Sequence, residues 1–296
     1  MSRYPYPTPP NPKADPQLEP CTNKLPKKLS PTAAKDFVQC PRLFFEKKVA
    51  RSIVFESTEA TTKGTLVHHA LEKIFDHDRA DRTPDNAVTY VRPEWDRLVT
   101  RRDYGQLAAM APERIEAMLA EAEEMVREYF TIEDPTKFDP AGREQWVTAR
   151  MGDATMNGVI DRFDAVPDGA GNVRHYITDY KTGKLPRERY EDEAFFAMRI
   201  YAAGIRETKG VTVDAIRLVH TRHGKAGVLT RGVDDAVIDT TIEEFEQIWA
   251  DIRQAATAGR FPCQTSPLCN WCDAQTTTCP AWQDDDGQPV DINTLL

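Results

Sequence analysis

Apolar residues recur along this chain with two different periods, and the change of period divides the sequence. In the first half they lie three or four residues apart, which predicts helices. The clearest of these helices spans residues 112–130, with an apolar stripe made of Ile115, Met118, Leu119, Ala122, Met125, Val126 and Tyr129. From Glu144 onward, apolar and β-branched residues alternate with polar ones in short runs, which predict strands.

The predicted strands occupy residues 144–151, 155–165, 173–181, 213–222 and 227–233. One helix, at about 188–208, precedes the fourth strand, and another, at about 240–258, follows the fifth. Helices, three strands, a helix, two strands and a last helix indicate an α/β or α+β fold. In such a fold a mixed sheet is flanked by helices.

Local signals indicate where the folded region starts. Residues 1–28 are rich in proline and polar residues, so we expect a disordered lead-in in which Cys21 is a free thiol. Ser30 can cap a helix, and Pro31 suits the first helical position. We expect this helix to continue through Phe44.

A second helix in this part of the chain is predicted to begin at Gly64 and to carry two adjacent histidines. The helical period places His68 on the inward face with Leu71, and places His69 on the outward face. An inward histidine is either a core residue with a satisfied hydrogen bond or a metal ligand. The pattern alone leaves both interpretations open.

Charge and composition limit the class of protein. The formal net charge of -9 at pH 7 argues against a uniformly basic nucleic-acid binder, although a local basic cleft remains compatible with it. The chain shows neither an apolar run long enough for a membrane span nor the apolar core of a signal peptide. We therefore expect a cytoplasmic protein, without a membrane partner, whose six cysteines stay reduced or bind metal.

Two predicted strands carry carboxylates that a hairpin would bring together. Asp161 and Asp179 would lie at one end of the sheet, and Lys181 would share a face with Asp179. A close pair of carboxylates requires a cation or a proton, and oxygen ligands suit Mg²⁺ or Mn²⁺. Such an ion would activate a water molecule, and Lys181 would orient that water or stabilise developing negative charge.

The cysteines near the C-terminus predict a metal centre. Cys269 and Cys272 form a C-x-x-C pair, and Cys279 follows seven residues after Cys272. Thiolates at such spacing bind Zn²⁺ or an iron–sulfur cluster. Two choices of fourth ligand are open: Cys263 would complete a local site, whereas Cys40 would tie the N-terminal helix to the C-terminal segment.

Together these stretches resemble the PD-(D/E)XK nuclease superfamily. Within it they resemble the RecB-like branch with an iron–sulfur cluster, which includes the CRISPR-associated RecB-like exonucleases and the AddB nuclease domain. The resemblance covers a single domain at residues 29–282, leaving an acidic tail at 283–296. Five stretches carry it: Ser30–Phe45, Gly64–His68, Gly158–Arg162, Asp179–Gly183 and the cysteines at 269, 272 and 279.

The resemblance implies a restriction-endonuclease-like core and a metal-dependent DNA exonuclease. It would hydrolyse phosphodiester bonds at DNA ends in recombination, repair or CRISPR adaptation, beside a helicase- or integrase-type partner. The implied Mg²⁺ or Mn²⁺ ligands are His68, Asp161, Asp179 and the Tyr180 carbonyl. Lys181 and Tyr201 are the other implied catalytic residues, and Glu144 has a supporting role. Cys40, Cys269, Cys272 and Cys279 would hold a structural [4Fe-4S] cluster.

Two departures from the family pattern keep alternatives open. Relatives carry a glutamine four residues before the tyrosine, where this chain has Ala197 before Tyr201. A non-catalytic DNA-binding or complex-assembly module on the same fold is therefore the alternative function. Cys263 is an extra thiol beside the expected three, which keeps a zinc-stapled interaction protein as a further alternative.

Overall fold

Five strands form one mixed sheet in the order β1-β2-β3-β4-β5. They are β1 (Gly142–Met151), β2 (Ala154–Pro167), β3 (Val173–Lys181), β4 (Ala215–His220) and β5 (Val228–Gly232). The pairs β2/β3 and β4/β5 are antiparallel, and the pair β3/β4 is parallel. The structure, a computed structural model, describes residues 9–53, 55–275, 277–284 and 286–290. All five predicted strands are present at their predicted places.

The α-helices are α1 (Pro31–Gln39), α2 (Pro41–Phe44), α3 (Glu59–Lys73), α4 (Pro84–Val88), α5 (Val91–Leu98), α6 (Gly105–Ala108), α7 (Pro112–Tyr129), α8 (Glu191–Ala194), α9 (Phe196–Lys209) and α10 (Asp235–Ala258). A π-helix spans Phe45–Ala50, and 3₁₀-helices include Thr22–Lys24, Thr221–Gly227 and Pro267–Trp271. Helix α9 packs on β3 and β4. The predicted mixed sheet flanked by helices, of the restriction-endonuclease-like class, is confirmed.

The first helix starts as predicted but ends earlier. Ser30 is its N-cap, with the side-chain oxygen accepting a hydrogen bond from Ala33 N, and Pro31 is its first residue. The predicted continuation through Cys40 is wrong, because Cys40 is extended, at φ -162° and ψ 109°, between α1 and α2. The ring of Pro41 disfavours helical geometry at the preceding residue, which explains the break.

Helix α3 begins five residues before the predicted start at Gly64. Thr58 caps it, because its side chain accepts from Thr61 N while the Thr61 side chain accepts from Thr58 N. This reciprocal pair satisfies backbone N–H groups that the first turn would otherwise leave unpaired. The first turn is polar, so the apolar periodicity did not reveal it.

The chain divides into two compact units, where the sequence predicts one domain over residues 29–282. One unit contains Met1–Val54, Arg150–Asn157 and Ile242–Leu296, and the other contains Phe55–Ala149 and Gly158–Thr241. The first unit buries a cluster around Trp282 that includes the thiols of Cys263 and Cys279. The second buries a large core in which residues of α3, α5 and α7 pack together.

Part of the predicted disordered lead-in is ordered. Residues 1–8 lie outside the described residues, but Leu18 N donates to Gly259 O and Cys21 N donates to Ala256 O. Cys21 is a free thiol, as expected, but it is buried. Of the predicted acidic tail, residues 291–296 are outside the described residues. Within the described ranges, no helix has the length and apolar character that crossing a membrane requires.

Candidate active site

The antiparallel pairing of β2 and β3 brings the two predicted carboxylates to one place. Arg162 is paired with Thr178, so the preceding Asp161 and the following Asp179 lie at adjoining positions of the two strands. The main-chain N–H of Tyr180 donates to Oδ2 of Asp161 at 2.8 Å. This hydrogen bond fixes the Asp161 side chain against the strand that carries Asp179.

Helix α3 contributes His68, which points inward as predicted. Its Nε2 donates to the Tyr180 carbonyl oxygen at 2.8 Å, and its Nδ1 lies 3.4 Å from Oδ2 of Asp161. Burial alone would lower the pKa of His68, but Asp161 outweighs it and raises that pKa to about 9. Burial also raises the pKa of Asp161, yet His68 and the Tyr180 N–H hold it below its usual value.

Strand β1 contributes Glu144 through an unusual backbone conformation. Glu144 has a φ of 43°, in the left-handed region that non-glycine residues rarely adopt. One metal-binding atom from each of His68, Glu144 and Asp161 lies within 4.8 Å of the other two. Burial and the charge of Asp161 raise the pKa of Glu144 to about 7. Backbone strain of this kind is concentrated at functional sites.

Lys181 and Asp179 form an ion pair at the end of β3. Nζ of Lys181 lies 2.5 Å from Oδ2 of Asp179. Burial and the neighbouring Asp161 raise the pKa of Asp179, because two close carboxylates cannot both ionise freely. Burial favours a neutral Lys181, but Asp179 outweighs it and raises the pKa of the lysine.

These donors fit a hard divalent cation. Asp161, Asp179 and Glu144 supply carboxylate oxygens and Tyr180 supplies a main-chain carbonyl. His68 would supply an imidazole nitrogen once the ion displaces its proton. Burial and the neighbouring Asp161 charge raise the pKa of Asp179 and that of Glu144, and a bound cation would offset both effects. Oxygen-rich sites of this kind suit Mg²⁺ or Mn²⁺.

Tyr201 on α9 lies against the strand that carries Asp161. Its hydroxyl hydrogen-bonds the backbone of Val159, and burial together with Asp179 raises its pKa to about 12. Gly158 is required by this contact, since a Cβ there would lie 2.6 Å from Cε1 of Tyr201. Ala197 occupies the preceding turn of the same helix, where the family pattern has glutamine.

His69 is only partly exposed, contrary to the predicted outward face. Its Nε2 lies 3.8 Å from Oε2 of Glu94, and its Nδ1 lies 4.0 Å from Oε2 of Glu72. The ring also packs edge-on against Tyr90. Helix α5, which carries Glu94, covers the side of α3 that the helical period alone assigns to solvent.

A buried polar network fixes the strands that present the site. Arg162 is buried, and it donates to Glu133 at 2.6 Å, to Asp164 at 3.0 Å and to the Tyr180 hydroxyl at 2.7 Å. Arg217 also donates to Glu133, at 2.8 Å. Burial raises the pKa of Glu133, but the two arginines outweigh it and lower that pKa to about 2.

No sequence pattern indicated this network, although Asp161 and Asp179, which adjoin Arg162 and Tyr180 in the chain, were predicted site residues. Strand alternation turns Arg162 away from Asp161, and turns the Tyr180 side chain away from Asp179 and Lys181. Tyr180 therefore connects the candidate active site to the buried network. Its main chain hydrogen-bonds His68 and Asp161, and its hydroxyl accepts a hydrogen bond from Arg162. Glu133 follows α7 in a polar stretch and gave no signal of burial.

All five thiols of the two competing ligand sets line one cavity. Cys40 accepts a hydrogen bond from Gln264 N at 3.4 Å, so the α1–α2 break lies beside the C-terminal cysteine segment. Sγ of Cys263 lies 3.9 Å from Sγ of Cys279. The contact with Cys263, helped by Arg42, lowers the pKa of Cys279 to about 7. The remaining lining thiols are Cys269 and Cys272.

Known proteins resemble this chain in sequence pattern and in fold. The sequence pattern of the PD-(D/E)XK nuclease superfamily matches residues 28–280, and the chain belongs to that superfamily. A crystal structure of a "putative exonuclease" from Eubacterium rectale is similar, with a TM-score of 0.51 and 13% identity. The likeness covers 91% of this chain and 92% of the other, and at this identity it shows the fold alone. No curated protein matches the chain.

Proposed function

We propose that this chain is a divalent-metal-dependent DNA exonuclease that hydrolyses phosphodiester bonds at DNA ends. The observation that carries the proposal is the convergence of His68, Glu144 and Asp161 beside the Asp179–Lys181 pair. Membership of the nuclease superfamily supports it. The contexts of recombination, repair or CRISPR adaptation, with a helicase- or integrase-type partner, belong to the same proposal.

Each residue has a distinct role in the proposed reaction. A bound Mg²⁺ or Mn²⁺ supplies an acidified water and offsets negative charge on the phosphate. Asp161, Asp179, His68 and the Tyr180 carbonyl would hold the ion, and Glu144 would support them from β1. The Lys181 ammonium has three N–H donors, with which it orients the attacking water and stabilises charge on the phosphoryl oxygens.

The test is cleavage of end-labelled single-stranded DNA by anaerobically purified protein in Mn²⁺, Mg²⁺ or EDTA. Wild type is expected to shorten the strand with either metal and not in EDTA. Asp179→Asn keeps the side-chain shape but removes the charge, so it should abolish shortening. Asp96→Asn, an exposed aspartate on α5, is the matched control and should be fully active. Equal cleavage by wild type and Asp179→Asn would refute the proposal.

We also propose that the cysteine cavity holds a [4Fe-4S] cluster through Cys40, Cys269, Cys272 and Cys279. Tetrahedral zinc with bonds of about 2.3 Å places its sulfur ligands about 3.8 Å apart. Among the described residues, no three of these thiols lie within 4.8 Å of one another. Cys263 and Cys279, at 3.9 Å, do have a spacing that zinc accepts, so the support for the cluster is that Cys40 and the three C-terminal ligands line one cavity.

A second candidate function rests on Ala197. Without the glutamine of relatives, Lys181 or the substrate loses one orienting partner, and the site could serve as a DNA-binding or assembly module. In that case wild type would bind DNA in a salt-dependent way without metal-dependent shortening. The cleavage assay therefore separates the two candidates.

A further inference from the structure

Two neighbouring grooves run along α3 and share Thr61 and Gly64. One contains His68 and Glu144 of the candidate active site. The walls of the other come from the first turns of α3 and from the segments that follow β3 and β4. A Cβ at Gly64 would lie 3.4 Å from Oγ1 of Thr182, so α3 comes close to the segment after β3 here.

The second groove, which we call the basic groove, carries Lys63, Lys184, Arg222 and His223. Lys63 is held by Glu121 at 2.6 Å, while Lys184 and Arg222 are exposed. Three permanent cations against one carboxylate make this groove positive, although the whole chain carries a net charge of -9. A local positive cleft attracts polyanions irrespective of net charge.

The topology places the basic groove at the same sheet edge as the catalytic lysine. Because β3 and β4 are parallel, with Lys181 paired to His220, their carboxyl ends lie side by side. Lys184 follows three residues after Lys181, and Arg222 follows two residues after His220. In α/β folds, ligands bind in crevices outside the carboxyl ends of such strands.

Hydrogen bonds hold together the segment that follows β3 and the segment that follows β4. Nδ1 of His220 donates to the Gly183 carbonyl at 3.2 Å, and the Thr221 hydroxyl donates to the Lys181 carbonyl at 3.4 Å. Lys184 and Arg222 are therefore presented on segments that are fixed to each other. Groups that are already in position lose less conformational entropy when they bind a ligand.

The two grooves differ in charge. The groove on the His68 side is lined by Glu72, Glu94 and Glu144, and it has no lysine or arginine among its described lining residues. Phosphates are attracted to the basic groove and repelled from the acidic one, except where a bound cation compensates. A DNA strand that reaches the metal site is therefore bound only on the side of the basic groove. Such one-sided binding suits cleavage near the end of the strand.

We propose that the basic groove binds the phosphodiester backbone of the DNA strand whose end lies at the active site, with Lys184 and Arg222 each contacting a phosphate. This inference rests on the proposed function, and it adds the path of the strand. It assigns to both residues a positioning role: they hold the strand and do not touch the reacting phosphate.

The test measures binding in EDTA, where no cleavage occurs, by fluorescence anisotropy of a labelled single-stranded DNA between about 50 and 200 mM salt. Each phosphate contact contributes about 0.7 to the slope of log affinity against log salt for single strands. Lys184→Gln and Arg222→Gln should each lower that slope by about 0.7, and the double variant by about 1.4. Lys225→Gln, an exposed lysine of the same segment outside the groove lining, is the control and should keep the wild-type slope.

The outcomes separate this inference from the proposed function. DNA binding in the basic groove would be refuted if the double variant kept the wild-type slope, or if Lys225→Gln lowered the slope as much as Lys184→Gln or Arg222→Gln. Either result would count even if wild type cleaves DNA in Mn²⁺. The predicted slopes without any cleavage by wild type would support the groove and reject the nuclease. In the cleavage assay, the double variant should raise KM while leaving kcat within about twofold, because uniform binding is lost.

Discussion

Nε2 of His68 lies 2.8 Å from the main-chain oxygen of Tyr180, a contact that joins α3 to β3 in the middle of the candidate active site. The other ring nitrogen faces Asp161 at 3.4 Å. One imidazole therefore touches a carbonyl and a carboxylate that both belong to the proposed ligand set. Helix position, strand register and the proposed metal binding therefore depend on one another at this point.

We expect His68→Ala to raise the Mn²⁺ concentration for half-maximal cleavage by at least about tenfold, since even groups that only support metal ligands cost tenfold or more. A titration of activity against Mn²⁺, checked by calorimetric Mn²⁺ binding, measures this. His69→Ala is the matched control, because the neighbouring ring faces Glu94 and Glu72 instead. Equal effects of the two substitutions would contradict the proposed ligand set.

The contact between Gly158 and Tyr201 predicts a steric effect on stability. Gly158→Ala would place a methyl group 2.6 Å from the Tyr201 ring, so we expect a loss of about 1–3 kcal/mol in the free energy of unfolding. Gly183→Ala is the control, because a Cβ at Gly183 would meet nothing within 4 Å. Urea denaturation measures both variants.

A smaller partner provides a second test of the same contact. In a Tyr201→Leu background the cost of Gly158→Ala should fall, and a double-mutant cycle gives the coupling energy. If the two substitutions changed the free energy of unfolding additively, the Tyr201 ring would not be the reason that position 158 requires glycine.

Because of Glu133, we expect the free energy of unfolding to depend on pH. Its pKa is lowered from 4.5 to about 2 by Arg162 and Arg217, despite burial. A carboxylate with a depressed pKa in the folded state stabilises the fold above pH 4.5, and this contribution is lost as pH falls towards 2. The shift corresponds to about 3 kcal/mol, as an order of magnitude.

The measurement compares wild type with Glu133→Gln by chemical denaturation at several pH values. The difference in unfolding free energy should be largest at neutral pH and should shrink as pH falls below 4.5. Glu124→Gln, an exposed glutamate on the helix that precedes Glu133, should show little difference at any pH. A difference for Glu133→Gln that does not change with pH would argue against the network as the cause.

The cysteine cavity makes a prediction about bound metal. Anaerobically purified wild type should contain iron and sulfide and be brown, and Cys40→Ser should lose both, with a lower unfolding temperature. Cys263→Ser should keep the iron, because the proposed ligand set excludes it, and Cys21→Ser is the control outside the cavity. A colourless protein with stoichiometric zinc would support the zinc alternative instead.

Much of the fold could be predicted because its signals are local. Alternation with a period of two predicted the strands, and therefore that Asp161 and Asp179 lie close together. Helical periodicity predicted that His68 faces inward. The break at Cys40 was not predicted, although the following proline carries a local signal for it. The polar first turn of α3 carries its signal in the Thr58–Thr61 cap, which apolar periodicity does not detect.

What could not be predicted depends on contacts between distant residues. Glu133 and Arg162 lie 29 residues apart with the whole of β1 between them, and no pattern near either indicates a buried ion pair. The partial burial of His69 depends on α5 covering that side of α3. The left-handed conformation of Glu144 is likewise imposed by its surroundings, since glutamate has no intrinsic preference for it.

The most direct test of the central claim compares linear and circular single-stranded DNA of the same sequence, each incubated with wild-type protein in Mn²⁺ and in EDTA. We expect the linear strand to be shortened progressively from an end in Mn²⁺, the circle to stay intact, and neither to change in EDTA. Cleavage of the circle, or a linear strand left whole in Mn²⁺, would contradict the central claim.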